Sequence, residues 1–289
     1  MHKDIYKFLA IVSLLLTTSE AFSSHIQKVY VLGTVHDTHL QKKFKYSLSD
    51  LSNQIKKLKP DLICGEIYDI HFNKTLEGIY PLENQVIIHT AKLIKAEFIP
   101  VDWRGNYFDI VNIEKKMTPE EKKRFDGSHK RVFELFGNQK SGFFEFFHSK
   151  KLQKAVLDAH DVHLKEGTDI AAGFWHARNQ IVVKNCIRRA LNDPKFMTVL
   201  FTFGVEHKGL IEHYLQFFYE IQASPIVKLY SHSNKPLDKA VINHWKKNRN
   251  NLINALKTSK ISEIDRKLIE SSNRISKLDK FIKMEGKAE

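Results

Sequence analysis

Only two cysteines, seven prolines and twelve glycines occur in 289 residues. Two cysteines cannot build the disulfide framework that holds small secreted domains together. So few prolines and glycines exclude a collagen-like or linker-rich chain. Arg-rich blocks and basic–aromatic interleaving are also missing. The formal net charge of +13, much of it lysine along helical segments, therefore reads as solvated surface and not as a nucleic-acid site. Beyond the N-terminus no apolar run is long enough to cross a bilayer. What is left, 42% apolar and 27% charged residues, describes an ordinary globular protein of one large or two small domains.

Cys64 falls in a strand-like run and Cys186 in a helical one. Buried free thiols are expected for both, with a disulfide as the alternative. Residues 1–23 have the three-part form of a secretory signal. Lys3 and Lys7 precede the apolar run 8–16, and the small residues Ser19 and Ala21 lead to cleavage after Ala21 or Ser23. This predicts a secreted or periplasmic protein with no integral membrane segment once the signal is removed; an uncleaved anchor is the alternative.

Residues 28–35 read as a strand and 47–59 as a helix, stopped by Pro60. A second apolar run covers 61–67, a helix 83–95, and a third strand 97–103. This β-α-β-α-β order implies a parallel sheet with right-handed crossovers. Thr118-Pro119-Glu120-Glu121 is a helix start, and the phenylalanine-rich stretch that follows is helical. The pattern then resumes with a strand over 196–203, a helix over 210–221 and a strand over 225–230. The expected fold is α/β: a mostly parallel sheet flanked by helices over 24–231, a helical insertion at about 113–190, and a basic helical extension over 232–289. The extension offers a surface for an anionic partner.

One phrase occurs twice: Gly33-Thr34-Val35-His36 and Gly204-Val205-Glu206-His207. Each follows an apolar run, so each imidazole stands just past a strand end, behind a glycine that lets the chain turn. Glu66 closes the second strand, and Asp102 and Arg104 lie at the end of the third. In a parallel sheet these ends share one edge, where ligands bind. Two imidazoles and a carboxylate could hold a divalent metal with a position left for water, or activate water without metal. Arg104 or Arg178 could hold a substrate carboxylate or stabilise an oxyanion. Both routes stay open here.

In chain order, the two Gly-x-x-His phrases, Glu66, Asp102-Trp103-Arg104 and Arg178-Asn179 resemble the motifs of the TraB/TIKI superfamily. That group takes in TIKI, TraB/GumN, erythromycin esterase and ChaN-like proteins, and the resemblance spans about 29–215. It implies an α/β core with His36, Glu66 and His207 as catalytic groups and metal ligands, and Arg178 in support. TIKI-like members resemble metal-dependent peptidases, which implies Mn, Co or Zn. The esterase branch uses His and Glu without metal, and ChaN-like relatives bind haem. Asp102-Trp103-Arg104 departs from the Asp-Arg-Pro of many TraB-like chains. Asp102 and Arg104 are expected to contact substrate.

The leading expectation is an extracytoplasmic hydrolase that cleaves a peptide or ester bond of a peptide or small-molecule substrate. A haem or small-ligand binding protein and a metal-independent esterase are the alternatives. His160 and His163, three apart on a helix, have metal-binding spacing but are expected to face solvent. Phe143, Phe144, Phe146 and Phe147 are expected in the core.

Overall fold

The structure, a computed structural model, describes residues 25–103, 105, 116–165, 169, 173–232, 235–258 and 261–285. The signal-like segment and Arg104 lie outside the described residues.

Four strands form one sheet, every pair parallel: β1 (Lys28–Thr34), β2 (Leu62–Tyr68), β3 (Glu97–Asp102) and β4 (Thr198–Gly204). Their order across the sheet is β1-β4-β2-β3, so the last strand in sequence is inserted between the first two. α1 (Leu48–Leu58) and α3 (Glu83–Ile94) link successive strands, and a short α2 (Asp69–Asn73) follows β2. The insertion after β3 supplies α4 (Pro119–Ser128), α5 (Lys130–Asn138), α6 (Phe143–Phe147), α7 (Lys150–Lys165) and α8 (Trp175–Leu191). α9 (Lys208–Tyr219) follows β4, and α10 (Lys239–Thr258), α11 (Glu263–Ser271) and α12 (Arg274–Glu285) end the chain. The α/β fold with a helical C-terminal extension is thus the one read from the sequence.

Near-continuous apolar runs make the strands, because both faces of the sheet are covered. Alternation along each strand divides the core in two. Leu32, Ile63 and Leu200 join α1, α3, the four phenylalanines of α6, and Trp245 of α10 on one face. Val31, Cys64, Val199, Phe201 and Phe203 meet Val182, Cys186 and Ile187 of α8 and Ile211 of α9 on the other. The insertion and the extension therefore complete the core that the sheet begins.

Two expectations need correction. Residues 225–230 do not form a strand; Ser224, just before them, makes an isolated parallel bridge to Tyr30 of β1. The buried amide of Gln54 takes the place of a neighbouring strand, donating to Val227 O at 2.9 Å and accepting from Leu229 N at 2.8 Å. Cys64 and Cys186 are wholly buried but not free: they form a disulfide across 122 residues. Cys64 faces the second core layer, and Cys186 lies on the side of α8 that covers that layer, so one burial brings both thiols together.

The disulfide ties β2 to α8, the helix that carries Arg178. Cys64→Ala with Cys186→Ala should lower unfolding free energy by about 2–4 kcal/mol, mainly by freeing the unfolded chain. Urea midpoints of the double variant and the oxidised parent check this; coincident midpoints would refute it. The disulfide suits an oxidising compartment. No helix among the described residues is long and apolar enough to cross a membrane.

Candidate functional site

Parallel register puts the two Gly-x-x-His phrases side by side. Gly33 lies opposite Phe203 and Thr34 opposite Gly204, and each strand runs into a 3-10 turn, His36–Leu40 after β1 and Val205–His207 after β4. β2 runs on the other side of β4, with Gly65 opposite Thr202, so Glu66 arrives at the same edge. Its Oε2 accepts the Gly204 amide proton at 2.8 Å. Gly204 is needed for close approach: a Cβ there would stand 2.7 Å from His36 Nε2 and 3.5 Å from Glu66 Oε2.

His36 adopts a left-handed backbone, φ 48°, a conformation that costs a non-glycine residue energy and is held by its surroundings. The turn is braced by His39, which accepts from Val35 N at 3.1 Å and donates to Tyr46 O at 2.7 Å. His36 Nδ1 donates to Glu83 Oε1 at 2.7 Å. Glu83 is buried in the first turn of α3. Burial disfavours charge on His36, but the Glu83 carboxylate, with Glu66 and Asp37 beyond it, outweighs burial and raises the imidazole to about 9. Burial would likewise raise Glu83, yet His36 and then His39 hold it at about 2. The His36 side chain is 44% exposed, so its outer edge faces water.

His207 is set differently. Its Nδ1 meets Asn179 Oδ1 at 2.9 Å, and Asn179 Nδ2 donates to Trp175 O at 2.8 Å. The amide is thereby oriented with oxygen toward the ring, so His207 Nδ1 carries a proton and Nε2 is turned toward Glu66. Nε2 lies 3.7 Å from Glu66 Oε1. The Trp175 indole stacks on the ring at 4.1 Å between centroids. His36, His207, Thr34, Thr38, Trp175 and Glu206 line a cleft of about 230 Å³, with Glu66 and Arg178 behind it.

Arg178 binds Asp102 through a two-point fork, 2.7 and 2.8 Å, and reaches Glu66 Oε1 at 3.0 Å. Burial works against its charge, but Asp102 and Glu66 hold its pKa above the ordinary guanidinium value. The Asp102 side chain is fully buried, and Trp103 N also donates to Oδ1 at 2.8 Å. Asp102 therefore positions Arg178; it does not face the cleft as a substrate contact would.

His36, Glu66 and His207 come together as the sequence led us to expect, but they do not form a ready metal cage. Arg178 and Gly204 N–H engage the two Glu66 oxygens. Among the described residues, the set whose donor atoms all lie within 4.8 Å of one another is His129, His160 and His163, which could hold a metal ion. His160 and His163 are buried, not solvent-facing as expected, because α4 and α5 cover that side of α7. Burial pushes His160 down to about 2, with His129, His163 and His176 adding to the effect.

No protein-family model matches this chain, and no curated protein and no solved structure matches it. The site is accordingly read from its own geometry.

The roles of four contributors escaped the sequence reading. Glu83 is there only the first residue of the helix expected over 83–95. Trp175 adjoins His176, and Asn179 enters only beside Arg178 in a motif; neither shows a role until α8 is placed against β4. His148 accepts from Gly33 N at 3.1 Å while donating to Phe144 O at 2.8 Å, which pins the insertion to the end of β1. Burial, opposed by that Phe144 bond, keeps His148 down at about 3 and so neutral. His176, next to Trp175, bonds the Tyr214 hydroxyl at 2.8 Å in the interior.

Proposed function

We propose that this cleft hydrolyses an ester or peptide bond without a metal, with His207 and Glu66 activating water and His36 donating a proton to the leaving group. The observation that carries this reading is the unlike anchoring of the two imidazoles. A carboxylate holds Nδ1 of His36 and favours imidazolium; a neutral amide holds Nδ1 of His207 and leaves Nε2 with a lone pair. Environments that push two titratable groups apart assign one as acid and the other as base. The 3.7 Å between His207 Nε2 and Glu66 Oε1 suits a water that donates to both. Arg178 orients Glu66 for that role through its 3.0 Å bond to Oε1. The resemblance of the ordered motifs to those of the TraB/TIKI superfamily points to the same three residues, and its esterase branch suits the metal-free route. The disulfide favours an oxidising, extracytoplasmic location.

The test is hydrolysis of a panel of aryl esters and short peptides by the purified chain in chelator, followed across pH. His36 must be protonated to act, so the rate should fall as pH rises through about 9. Glu83→Gln removes the carboxylate that supports the proton, so this alkaline limb should move at least about one unit toward neutrality. A limb that stays in place would remove His36 as the acid, and activity that added metal restores equally in the parent and in His160→Ala would replace the metal-free route. The pair also has a stability signature. The contribution of His36 is complete below its ordinary value of 6.5 and is lost as pH rises through about 9. That of Glu83 is complete above 4.5 and is lost as pH falls through about 2.

A further inference from the structure

Outside the cleft, the helical insertion gathers three imidazoles. His129 sits at the junction of α4 and α5, and His160 and His163 stand one turn apart on α7. Ring centroids are 5.0 Å apart for His129 and His160, 5.7 Å for His129 and His163, and 6.0 Å for His160 and His163. The Ser128 hydroxyl lies 3.0 Å from His129 Nδ1 and 3.1 Å from His163 Nε2, which turns those two rings toward a common point. His160 is 2% exposed, and among the described residues neither of its ring nitrogens has a hydrogen-bond partner. A buried imidazole with both nitrogens unsatisfied costs free energy unless something accepts its lone pair.

The rings continue toward the cleft. His160 stacks on one face of the Trp175 indole, 4.3 Å between centroids and 12° between planes. His207 stacks on the same indole at 4.1 Å and 24°. A single side chain thus separates the cluster from the base of the proposed hydrolytic site, and the angle of His160 bears directly on where Trp175 holds His207.

We propose that His129, His160 and His163 bind one transition-metal dication of the Zn²⁺ type, which clamps the α4–α5 hairpin onto α7 and, through Trp175, positions His207. Three imidazole nitrogens form a borderline-soft donor set that selects Zn²⁺ and its neighbours over Mg²⁺ and Ca²⁺, which require oxygen. At Zn–N distances of about 2.0–2.1 Å, tetrahedral ligand atoms lie about 3.4 Å apart. The donors already come within 4.8 Å of one another, so small side-chain rotations close the site. The fourth position is left to water. The ion is a brace and takes no part in bond cleavage, because Trp175 stands between it and the cleft.

The test uses the full chain, stripped by chelator and dialysed against Zn²⁺ or Co²⁺. One equivalent should bind, and Co²⁺ should give the intense visible bands of a four-coordinate ion. His160→Ala and the more accessible His129→Ala should each weaken binding by at least about 100-fold, with far-UV circular dichroism reporting that the helices persist. His36→Ala and His207→Ala should bind as the parent does. Titration with Zn²⁺ should shift tryptophan emission in the parent and not in Trp175→Phe. Absence of stoichiometric binding, or binding kept in His129→Ala and His160→Ala but lost in His36→Ala, would overturn the site. Binding with unchanged emission would overturn the link to Trp175. These readouts are metal content and spectra, so they stand or fall separately from hydrolysis.

Discussion

His207→Ala should lower kcat by about 10²- to 10⁴-fold on any substrate the cleft hydrolyses, with a small change in KM. That is the range a positioned general base contributes. The prediction is sharp because the ring is held on every side. Asn179 fixes its tautomer at 2.9 Å, Trp175 covers one face, and Glu66 lies 3.7 Å from the acting nitrogen. Asn179→Asp keeps the ring in place but sets a charge against Nδ1, which raises the proton affinity of the imidazole. The acid limb of the pH–rate profile should then move to higher pH. The double variant His36→Ala with His207→Ala should lose little more than the worse single variant, since an acid and a base serving one step act as a unit. Full activity in His207→Ala would remove the proposed mechanism, whatever happened to His36.

Arg178→Ala should be the most destabilising single change at the site, by about 3–5 kcal/mol, the cost of leaving a buried ion without its partner. Asp102 is wholly enclosed and Glu66 nearly so, and Arg178 is bonded to both. Arg178→Lys keeps the charge but cannot span the two carboxylates with a planar fork, so its stability should fall between Ala and the parent. Chemical denaturation at neutral pH separates these outcomes. A difference under about 1 kcal/mol between Arg178→Ala and the parent would show that water reaches the two carboxylates and that the network is not a closed one.

Much of this arrangement could be foreseen from local pattern. Alternating helical and strand periodicity predicted parallel strands, and parallel strands bring their C-terminal ends to one edge. His36, Glu66 and His207 follow from that rule alone, since each closes an apolar run. The rule says nothing of the helices that back the edge. Glu83, Trp175 and Asn179 act only because α3 and α8 fold against strand ends distant in sequence. Residues 225–230 read as a strand from composition, but a strand is completed by a neighbour's backbone. Here the Gln54 side chain satisfies that backbone instead, which no local pattern announces.

Periodicity, turn glycines and strand-end polar residues are properties of neighbouring residues, and they determined the α/β class, the edge that holds the site and its two principal imidazoles. Tertiary packing decided the rest: the insertion of β4 between β1 and β2, the joining of Cys64 to Cys186, the burial of His160 and His163 beneath α4 and α5, and the opposite anchoring of His36 and His207. Each of these depends on which surfaces meet between elements well separated along the chain. Burial, partner charge and ring orientation are set by those meetings, and they anchor two similar histidines to unlike partners, a carboxylate for His36 and an amide for His207.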